Sequence, residues 1–375
     1  MLLSNIIEQH GTPDAVIDYW QKKNQTKKVL YGLKNIIKIY HDKCIIDNKK
    51  INGDPFLIFQ NWINEAKDTS LNDISAIGYI NYNFKDLIYP HLNFNKIDNQ
   101  PLLWFAKPEK IISFEEKKYT TNNNNLKLEK DLINFYQYEK KIIQIKSLIK
   151  NGHTYQINFT QPKYYKLSKN TFQLYLKARQ IAEPAFGHYL KTDDLTIISL
   201  SPELFFSLKN KTIQAQPMKG TRPNTQALSD EIEIKNLKKS SKDQAEHIMI
   251  VDLIRNDLGK ICKYNSINVK NLFEVKTYKS VHQMISTIQG KLKNNVNEVD
   301  IIKALFPSGS VTGAPKEKSM KIIDQIENYS RGIYTGCIGY IKKNGNMNFN
   351  VAIRTLSIQN KLGIYPVGGG IVWDS

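Results

Sequence analysis

Cysteine is scarce in this sequence: only three of its 375 residues are cysteines, at positions 44, 262 and 337. They are scattered along the chain, and their number is odd. A small secreted fold held together by disulfides needs a denser, even set, so that class of protein is excluded. The cysteine content predicts a protein of a reducing compartment.

Long hydrophobic runs are also missing. The first eight residues have neither the basic start nor the apolar stretch of a secretory signal peptide. No later stretch is apolar enough to span a bilayer. We therefore expect a cytoplasmic protein with no membrane partner.

Acidic residues are few relative to basic ones: 35 aspartates and glutamates stand against 53 lysines and arginines, a formal net charge of +18. Nucleic-acid binding would need these basic side chains clustered on one face. Instead, lysines recur beside asparagine and isoleucine along the whole chain, as in residues 34–39 and 291–295. This compositional bias disfavours nucleic acid as a partner, whereas an overall positive field favours a small anionic substrate.

The chain has no internal repeat and no clean linker. Its most polar stretch is 117–125, which contains four consecutive asparagines and is predicted to be flexible. A helical pattern runs from about residue 128 to residue 150 and stops at Asn151-Gly152, and a strand is predicted over 155–159. Beyond this point helices and strands mix without a strict βαβ alternation.

A lysine on a turn bounded by proline and glycine is the most informative residue of the chain. Residues 201–208 and 212–216 predict two strands of a hairpin. If its loop is Asn210-Lys211, counting outward brings Glu203 opposite Met218, one residue from Lys219. A carboxyl group and an amine then share one neighbourhood.

These two groups can do chemistry together. A carboxyl group near a leaving oxygen can act as a general acid, and an amine with a lowered pKa can act as a covalent nucleophile. The same spacing also fits an ordinary surface pair between strands, which stabilises a protein very little. Geometry alone does not separate the catalytic interpretation of Glu203 and Lys219 from the structural one.

Eight motifs, found in order along the chain, favour the catalytic interpretation of Glu203 and Lys219 over the structural one. They are Ser201-Pro202-Glu203, Pro217 to Pro223, Lys242 to His247, Asp252 to Gly259, Ser310 to Lys316, Arg331 to Tyr334, Ala352 to Thr355, and Gly368 to Val372. With these motifs the chain resembles the chorismate-utilising enzymes. The resemblance is dense from about residue 130 onward and thin before it.

The resemblance implies an α+β fold like that of anthranilate synthase component I. In that fold, antiparallel β-sheets pack face to face, helices lie outside, and the substrate occupies a central cleft. Residues 1–117 are then the weakly matched N-terminal part of the same fold, and residues 126–375 are the chorismate-binding catalytic region.

Two residues indicate a branch of this family. Relatives that add water to chorismate have a lysine base where this chain has Gln156, which cannot take a proton from water at neutral pH. Anthranilate synthases carry alanine where this chain has Lys219. The chain therefore most resembles the aminodeoxychorismate synthase component I branch. Anthranilate synthase component I and a non-catalytic chorismate-binding subunit are the alternatives.

The resemblance assigns roles to the catalytic pair and to the substrate-binding residues. Glu203 is expected to protonate the departing C4 hydroxyl of chorismate while Lys219 attacks C2. Arg354 and Tyr334 resemble the pair that holds the enolpyruvyl carboxylate. The remaining predicted substrate contacts are His282, Ser310, Gly368, Gly369 and Gly370.

Glu246 is the expected ligand of a Mg²⁺ cofactor that binds the ring carboxylate. It lies on a predicted helix and shares a face with Met249, Ile250 and Leu253, so its carboxylate points toward packed structure. A carboxylate there needs a cation or a hydrogen-bond donor. The alternative is an ion pair with a nearby lysine or arginine. His247, the next residue, points elsewhere and is expected to be structural.

Two further expectations follow from the family. Its members continue past the Gly-Gly-Gly-Ile-Val stretch into an acidic segment that supplies another metal ligand, whereas this sequence has only Trp373-Asp374-Ser375 after it. The resemblance thus predicts an incomplete metal site, and either the sequence is a fragment of a longer protein or the enzyme is weakened or inactive, unless Asp374 substitutes. The family also implies a glutamine amidotransferase partner that supplies ammonia.

Overall fold

The computed structural model describes residues 1–20, 27–95, 100–115, 127–131, 134–167, 170–225 and 230–375. Its helices are α1 (Leu3–His10), α2 (Pro55–Thr69), α3 (Lys85–Ile88), α4 (Phe135–Lys150), α5 (Thr171–Ala182), α6 (Asp230–Lys239), α7 (Ser241–Ile261), α8 (Glu298–Leu305) and α9 (Lys316–Ile326). Short 3₁₀ helices span Tyr82–Phe84, Pro90–Leu92 and Gly309–Val311.

The strands fall into an N-terminal and a C-terminal series. The first comprises β1 (Ala15–Asp18), β2 (Lys27–Ile39), β3 (Cys44–Ile46), β4 (Lys49–Ile51), β5 (Ile74–Ile80), β6 (Leu103–Ser113), β7 (Lys127–Asp131), β8 (Gln156–Lys166), β9 (Phe186–Lys191) and β10 (Thr196–Ser201). The second comprises β11 (Leu204–Lys209), β12 (Thr212–Gln216), β13 (Met218–Pro223), β14 (Asn268–Thr277), β15 (Val281–Lys291), β16 (Gly313–Ala314), β17 (Cys337–Lys342), β18 (Met347–Val351), β19 (Thr355–Gln359) and β20 (Leu362–Ile371).

All the strand pairs within the described residues are antiparallel, and β2 joins two wings of the sheet. One wing runs from β2 through β6, β5, β17, β18, β11 and β12 to β15. The other wing runs from β2 through β1, β9, β10, β19 and β20 to β8. N-terminal strands thus pair directly with strands from the C-terminal half.

The buried side chains show how the two wings pack. A cluster that includes Ile17, Ile77 and Ile338 lies between them. Helices α2, α7 and α8 cover the outer face of the first wing, and α1 and α5 cover that of the second. Strand β5 is buried along its whole length, as expected of a strand covered on both faces. This is the predicted α+β arrangement of sheets packed face to face with helices outside.

The predicted hairpin is present as β11 and β12. Lys209 faces Thr212, and Asn210 and Lys211 both have positive φ angles, as a two-residue type I′ turn requires. A register shift between Leu204 and Ser207 was not predicted, and it places Leu204 opposite Gln216. The counted pairing of Glu203 with Met218 is therefore wrong by one position, although the two residues remain neighbours.

The helix predicted from residue 128 was wrong at its start. Helix α4 begins at Phe135, capped by Asn134 in a capping box with Gln137, and residues 127–131 form a strand that pairs with β8. The predicted stop at Asn151-Gly152 is confirmed, and the strand predicted over 155–159 is the first half of β8. The predicted flexible stretch 117–125 lies outside the described residues.

Helices long and apolar enough to cross a membrane are absent from the described ranges.

Candidate active site

A cavity of about 410 Å³ lies where β13, β15 and β20 meet α7 and the 3₁₀ helix at 309–311. This volume suits a small metabolite. Nine of the ten predicted site residues line it: Glu203, Lys219, Glu246, Ser310, Tyr334, Arg354, Gly368, Gly369 and Gly370. Residues from seven separate parts of the sequence are thus brought together.

Glu203 is the buried acid of the cavity, with only 3% of its surface exposed. Burial raises the pKa of its carboxyl group to about 7. The Ser310 hydroxyl donates a hydrogen bond of 2.6 Å to it, and this bond, the Lys219 charge and the Met218 backbone N–H oppose the rise. Near neutral pH, a substantial fraction of the Glu203 carboxyl groups is therefore protonated.

Backbone hydrogen bonds fix Glu203 in place. Its own N–H donates to the Ser201 hydroxyl at 3.2 Å, and that hydroxyl donates to the Val351 carbonyl at 2.7 Å. The Glu203 carbonyl accepts from the Val351 N–H at 3.1 Å. The carboxyl group thus projects from a short segment that is tied to the edge of β18.

Lys219 projects into the cavity from a bulge in β13. The pairing of β13 with β15 shifts between Lys219 and Thr221, and Gly220 in between has a φ of +70°, which glycine adopts without strain. Burial lowers the pKa of the Lys219 amine, while the charges of Glu203 and Glu246 oppose the change. Within the described residues, the Lys219 amine makes no hydrogen bond.

The pKa shifts of Glu203 and Lys219 both favour the uncharged form of the side chain. Burial disfavours charge on both side chains, so it promotes a protonated Glu203 beside an uncharged Lys219 amine. An uncharged amine has a free electron pair and can attack an electrophilic carbon. A protonated carboxyl group can assist a leaving oxygen. The cavity therefore brings together a carboxyl group and an amine whose pKa values are both shifted toward the uncharged state.

The three glycines of β20 form one wall, paired with β8 so that Gly368 faces Thr160 and Gly370 faces Asn158. Space requires glycine at positions 368 and 370, where a Cβ would lie too close to neighbouring atoms. A Cβ on Gly370 would lie 2.7 Å from the Gln156 amide nitrogen and 3.2 Å from the Lys219 amine nitrogen. Gln156 is fully buried, and its side-chain nitrogen and oxygen lack hydrogen-bond partners in the described structure. The side chains of Gln156 and Lys219 therefore both lie next to Gly370.

Arg354 is the arginine that lines the cavity. It has a φ of +50°, a left-handed conformation that is costly for a residue with a side chain and that clusters at functional sites. Its guanidinium makes no hydrogen bond or ion pair within the described part of the chain. Tyr334 and Tyr365 line the same cavity, and burial raises the pKa of both hydroxyl groups. Arg354 is thus free to bind an anion with tyrosine hydroxyls nearby.

Glu246 lines the cavity from α7, half-buried. Burial raises the pKa of its carboxyl group, and the charges of Asp243 and Asp374 act in the same direction, against Lys219 and Lys242. It has neither a hydrogen bond nor an ion pair in the described residues, so the alternative of a structural ion pair is not realised there. Asp374 thus comes close to Glu246. His247, on another face of α7, is buried and bonded to Ser286 at 2.7 Å.

His282 is the predicted residue that the structure does not bring into the cavity. Neighbouring residues of a strand point to opposite faces of the sheet, and in β15 it is Gln283 that lines the cavity. The His282 ring is buried 3.0 Å from the Thr277 hydroxyl and 3.8 Å from Asp230. The expected direct contact with the ring of the substrate is therefore not supported by its position.

Sequence reasoning also missed lining residues. Tyr365 lies two positions before Val367 in the strand that carries the glycines, and Asn158 lies two positions after Gln156. Proximity in sequence to the predicted glycines was the available signal for Tyr365, because every residue from Tyr365 to Gly370 lines the cavity. Asn158 reaches the cavity through the pairing of β8 with β20.

Known proteins resemble this chain over most of its length. The chorismate binding enzyme family matches residues 16–375. An anthranilate synthase component 1 from Saccharolobus solfataricus is 32% identical over 360 residues, covering 87% of this chain and 82% of that protein.

Aminodeoxychorismate synthases match a shorter segment. Component 1 from Escherichia coli is 39% identical over 240 residues, which cover 64% of this chain and 53% of that protein. Component 1 from Bacillus subtilis is 34% identical over 281 residues, which cover 75% of this chain and 59% of that protein. The chain thus spans between half and three fifths of these two relatives.

Solved structures agree on the fold. The crystal structure of anthranilate synthase component I from Streptococcus pneumoniae superposes with a TM-score of 0.81 and 26% identity, covering 95% of this chain and 89% of that one. The menaquinone-specific isochorismate synthase MenF from Escherichia coli superposes with a TM-score of 0.72 at 15% identity, covering 97% and 84%. At that identity the second likeness concerns the fold alone.

Proposed function

Because this chain belongs to the chorismate binding enzyme family, we propose that it converts chorismate and ammonia to 4-amino-4-deoxychorismate through a covalent intermediate on Lys219. The observation that carries the proposal is the pairing, in one cavity, of a buried acid with a pKa of about 7 and an amine whose pKa is lowered. The test is identification of the product formed from chorismate, ammonium and Mg²⁺.

The first step displaces the C4 hydroxyl. The Lys219 amine forms a bond to C2 of the ring, the two ring double bonds shift, and the bond between C4 and its oxygen breaks. Glu203 gives its proton to that oxygen, which leaves as water, while the attacking amine loses a proton to solvent, from which the departing lysine nitrogen regains one in the second step. The two groups must be uncharged at the start, and burial favours that state.

The second step reverses the electron flow. Ammonia attacks C4, the double bonds shift back, and the bond between C2 and the lysine nitrogen breaks. Glu203, now a carboxylate, accepts a proton from the attacking nitrogen, and the departing lysine nitrogen takes one up. The enolpyruvyl group is retained, and both side chains return to their starting states.

Charge complementarity supports a substrate with two carboxylates. Arg354 can bind the enolpyruvyl carboxylate with its guanidinium fork while Tyr334 donates a hydrogen bond. On the glycine wall, the backbone of Gly369 has no atom within 4 Å of the position of a Cβ, so an anion can approach it closely. The net charge of +18 raises the local concentration of such a substrate.

A Mg²⁺ ion fits this donor set in one respect. Glu246 is a half-buried carboxylate without a partner in the described residues, and a cation would satisfy it. The described residues contain no group of three or more His, Cys, Asp or Glu side chains that could hold a metal. Mg²⁺ often binds through one or two carboxylates while keeping several waters. Glu246 is therefore the proposed ligand, with Asp374 nearby, and the ion would neutralise the ring carboxylate.

Gln156 and Lys219 support a reaction that adds ammonia at C4 of chorismate. Gln156 and the Lys219 amine both lie next to Gly370, and the Gln156 carboxamide cannot take a proton from water, so addition of water is disfavoured. Anthranilate synthase component I is the second candidate, because the Saccharolobus solfataricus protein of that name matches 87% of the chain. Lys219 argues against it, because the expected residue there is alanine.

The source of ammonia is also a proposal. The relatives are named component 1, which suggests a second component, and we propose a glutamine amidotransferase. Reactions with free ammonium test the chemistry of this chain without that partner.

Replacing Arg354 with lysine is expected to raise the KM for chorismate by about 10-fold to 100-fold, with a smaller effect on kcat. Lysine keeps the charge and the Cβ but cannot bind a carboxylate through two parallel hydrogen bonds. Steady-state kinetics at fixed ammonium measure this. Arg255→Lys is the matched control, because Arg255 is exposed and bonds only to Asp252 in the described structure. An unchanged KM in Arg354→Lys contradicts the assigned role.

A further inference from the structure

A buried ion pair lies behind the cavity wall, just beyond the end of α9. Glu327 and Arg331 are 4% and 3% exposed, and neither lines the cavity. The Arg331 Nε donates to Glu327 Oε2 and its Nη2 donates to Oε1, both at 2.7 Å. The Tyr82 ring lies 4.5 Å from the guanidinium.

Arg331 also donates hydrogen bonds to three segments that form or adjoin the cavity wall. Its Nη1 donates to the Val311 carbonyl at 2.9 Å and to the Thr335 hydroxyl at 3.2 Å. Its Nη2 donates to the Asn158 carbonyl at 2.7 Å. Val311 and Asn158 line the cavity, and Thr335 follows the lining residue Tyr334. A single guanidinium thus joins strand β8, the 3₁₀ helix and the Tyr334 turn.

Glu327 extends the same network to the glycine wall. Its Oε1 accepts from the Thr160 N–H at 2.8 Å and from the Thr160 hydroxyl at 2.9 Å. Thr160 faces Gly368 in the pairing of β8 with β20. The ion pair therefore also fixes the strand on which the glycines rest.

We propose that the Glu327–Arg331 ion pair is a positioning unit of the active site. It sets the 3₁₀ helix against β8 so that Ser310 stays within hydrogen-bonding distance of Glu203. Ser310 immediately precedes Val311, whose carbonyl Arg331 holds, so movement of one displaces the other. Arg331 acts through Ser310 and does not touch the reacting atoms. The functional consequence rests on the role of Glu203 in the proposed reaction.

The chemistry of this pair suits a positioning role. A buried ion pair often contributes little net stability, because the desolvation of both charges offsets their attraction. A guanidinium, however, has five N–H donors in a rigid fork, and here they join several separate segments at fixed angles. Lysine has one charged nitrogen and cannot reproduce that geometry. Arg331→Lys therefore separates geometry from charge.

The test measures the titration of the Glu203 carboxyl by infrared difference spectroscopy, assigned by its loss in Glu203→Gln. The Ser310 bond stabilises the charged form, so Ser310→Ala is expected to move the Glu203 titration about one pH unit upward. Arg331→Lys is expected to move it in the same direction. In the double variant the shift is expected to be no larger than in Ser310→Ala, because both changes break one contact.

The matched control is Arg179→Lys, which alters another buried arginine paired with an aspartate, Asp18. Both residues lie on elements that contribute no cavity residue, so the Glu203 titration is expected to stay unchanged. If Arg331→Lys does not fold, Glu327→Gln is used instead, since it keeps an oxygen for Thr160 but removes the charge and the acceptor of the Arg331 Nε hydrogen bond. An unchanged Glu203 titration in the folded variant overturns the proposal.

These measurements do not require turnover. The titration shift can appear in a protein that fails to convert chorismate, in which case the proposed function is wrong and the positioning unit stands. If turnover is found, kcat is expected to fall in Arg331→Lys, and the pH at which kcat declines on the alkaline side is expected to rise. A fall in kcat with no change in the pH profile or the titration indicates a merely structural residue and contradicts the proposal.

Discussion

Replacing Lys219 with alanine is expected to abolish the covalent adduct with chorismate and to lower kcat by about 10³-fold or more, as expected when a covalent nucleophile is removed. The amine is the attacking group of the first step, and no other lysine lines the cavity in the described structure. Alanine leaves β13 and its bulge intact, because the left-handed residue is Gly220 rather than Lys219. The loss is therefore expected to be chemical rather than structural.

Two measurements check this result. Rapid quenching followed by peptide mass spectrometry is expected to find, in the unaltered protein, a peptide containing Lys219 that has gained the mass of chorismate minus water. Lys242→Ala is the control, because Lys242 also places positive charge near Glu246 but lies exposed at the start of α7. The control is expected to keep the adduct. A modified peptide recovered from Lys219→Ala excludes the proposed nucleophile.

Replacing Glu203 with glutamine is expected to reduce kcat by about 10²-fold to 10⁴-fold, the usual contribution of general acid catalysis. Glutamine has nearly the same shape and can still accept the hydrogen bond from Ser310, but it has no proton to give. KM is expected to change much less, because the residue acts on the leaving group. Glu109→Gln is the control, an exposed glutamate of β6 far from the cavity.

The direction in which kcat changes with pH tests whether Glu203 acts in its protonated form. The acid works only while protonated, so kcat is expected to decline as pH rises through the pKa of about 7. The nucleophile works only while uncharged, so kcat is also expected to decline as pH falls below the lowered pKa of Lys219. In Glu203→Gln the alkaline decline is expected to disappear from the residual activity. Activity that increases with pH above 7 in the unaltered protein contradicts a protonated Glu203.

Local signals were enough to predict much of the candidate site. The hairpin around Asn210-Lys211 follows from turn chemistry, and it brings Glu203 next to β13 even though its register was counted one residue wrong. The helix carrying Glu246 follows from its apolar period. The cavity then required strands from distant parts of the chain, and only the resemblance to a family predicted that Arg354 and the glycines would meet there.

The failures have physical causes. Residues 127–131 match a helical period, yet they pair with β8, because a neighbouring strand edge outweighs local propensity. The contact of His282 with the substrate stays a prediction, and the residue of β15 that lines the cavity is its neighbour Gln283. Arg331 belongs to one of the eight motifs, but its pairing with Glu327 carries no recognisable sequence signal, because its contacts join residues 158 to 335 through tertiary packing.

The most direct test of the central claim is mass-spectrometric identification of what the purified chain makes from chorismate, ammonium and Mg²⁺, in a preparation free of lyase so that the product survives. The account predicts 4-amino-4-deoxychorismate, formed by the unaltered chain and not by Lys219→Ala. Anthranilate as the product, or chorismate recovered unchanged, would contradict it.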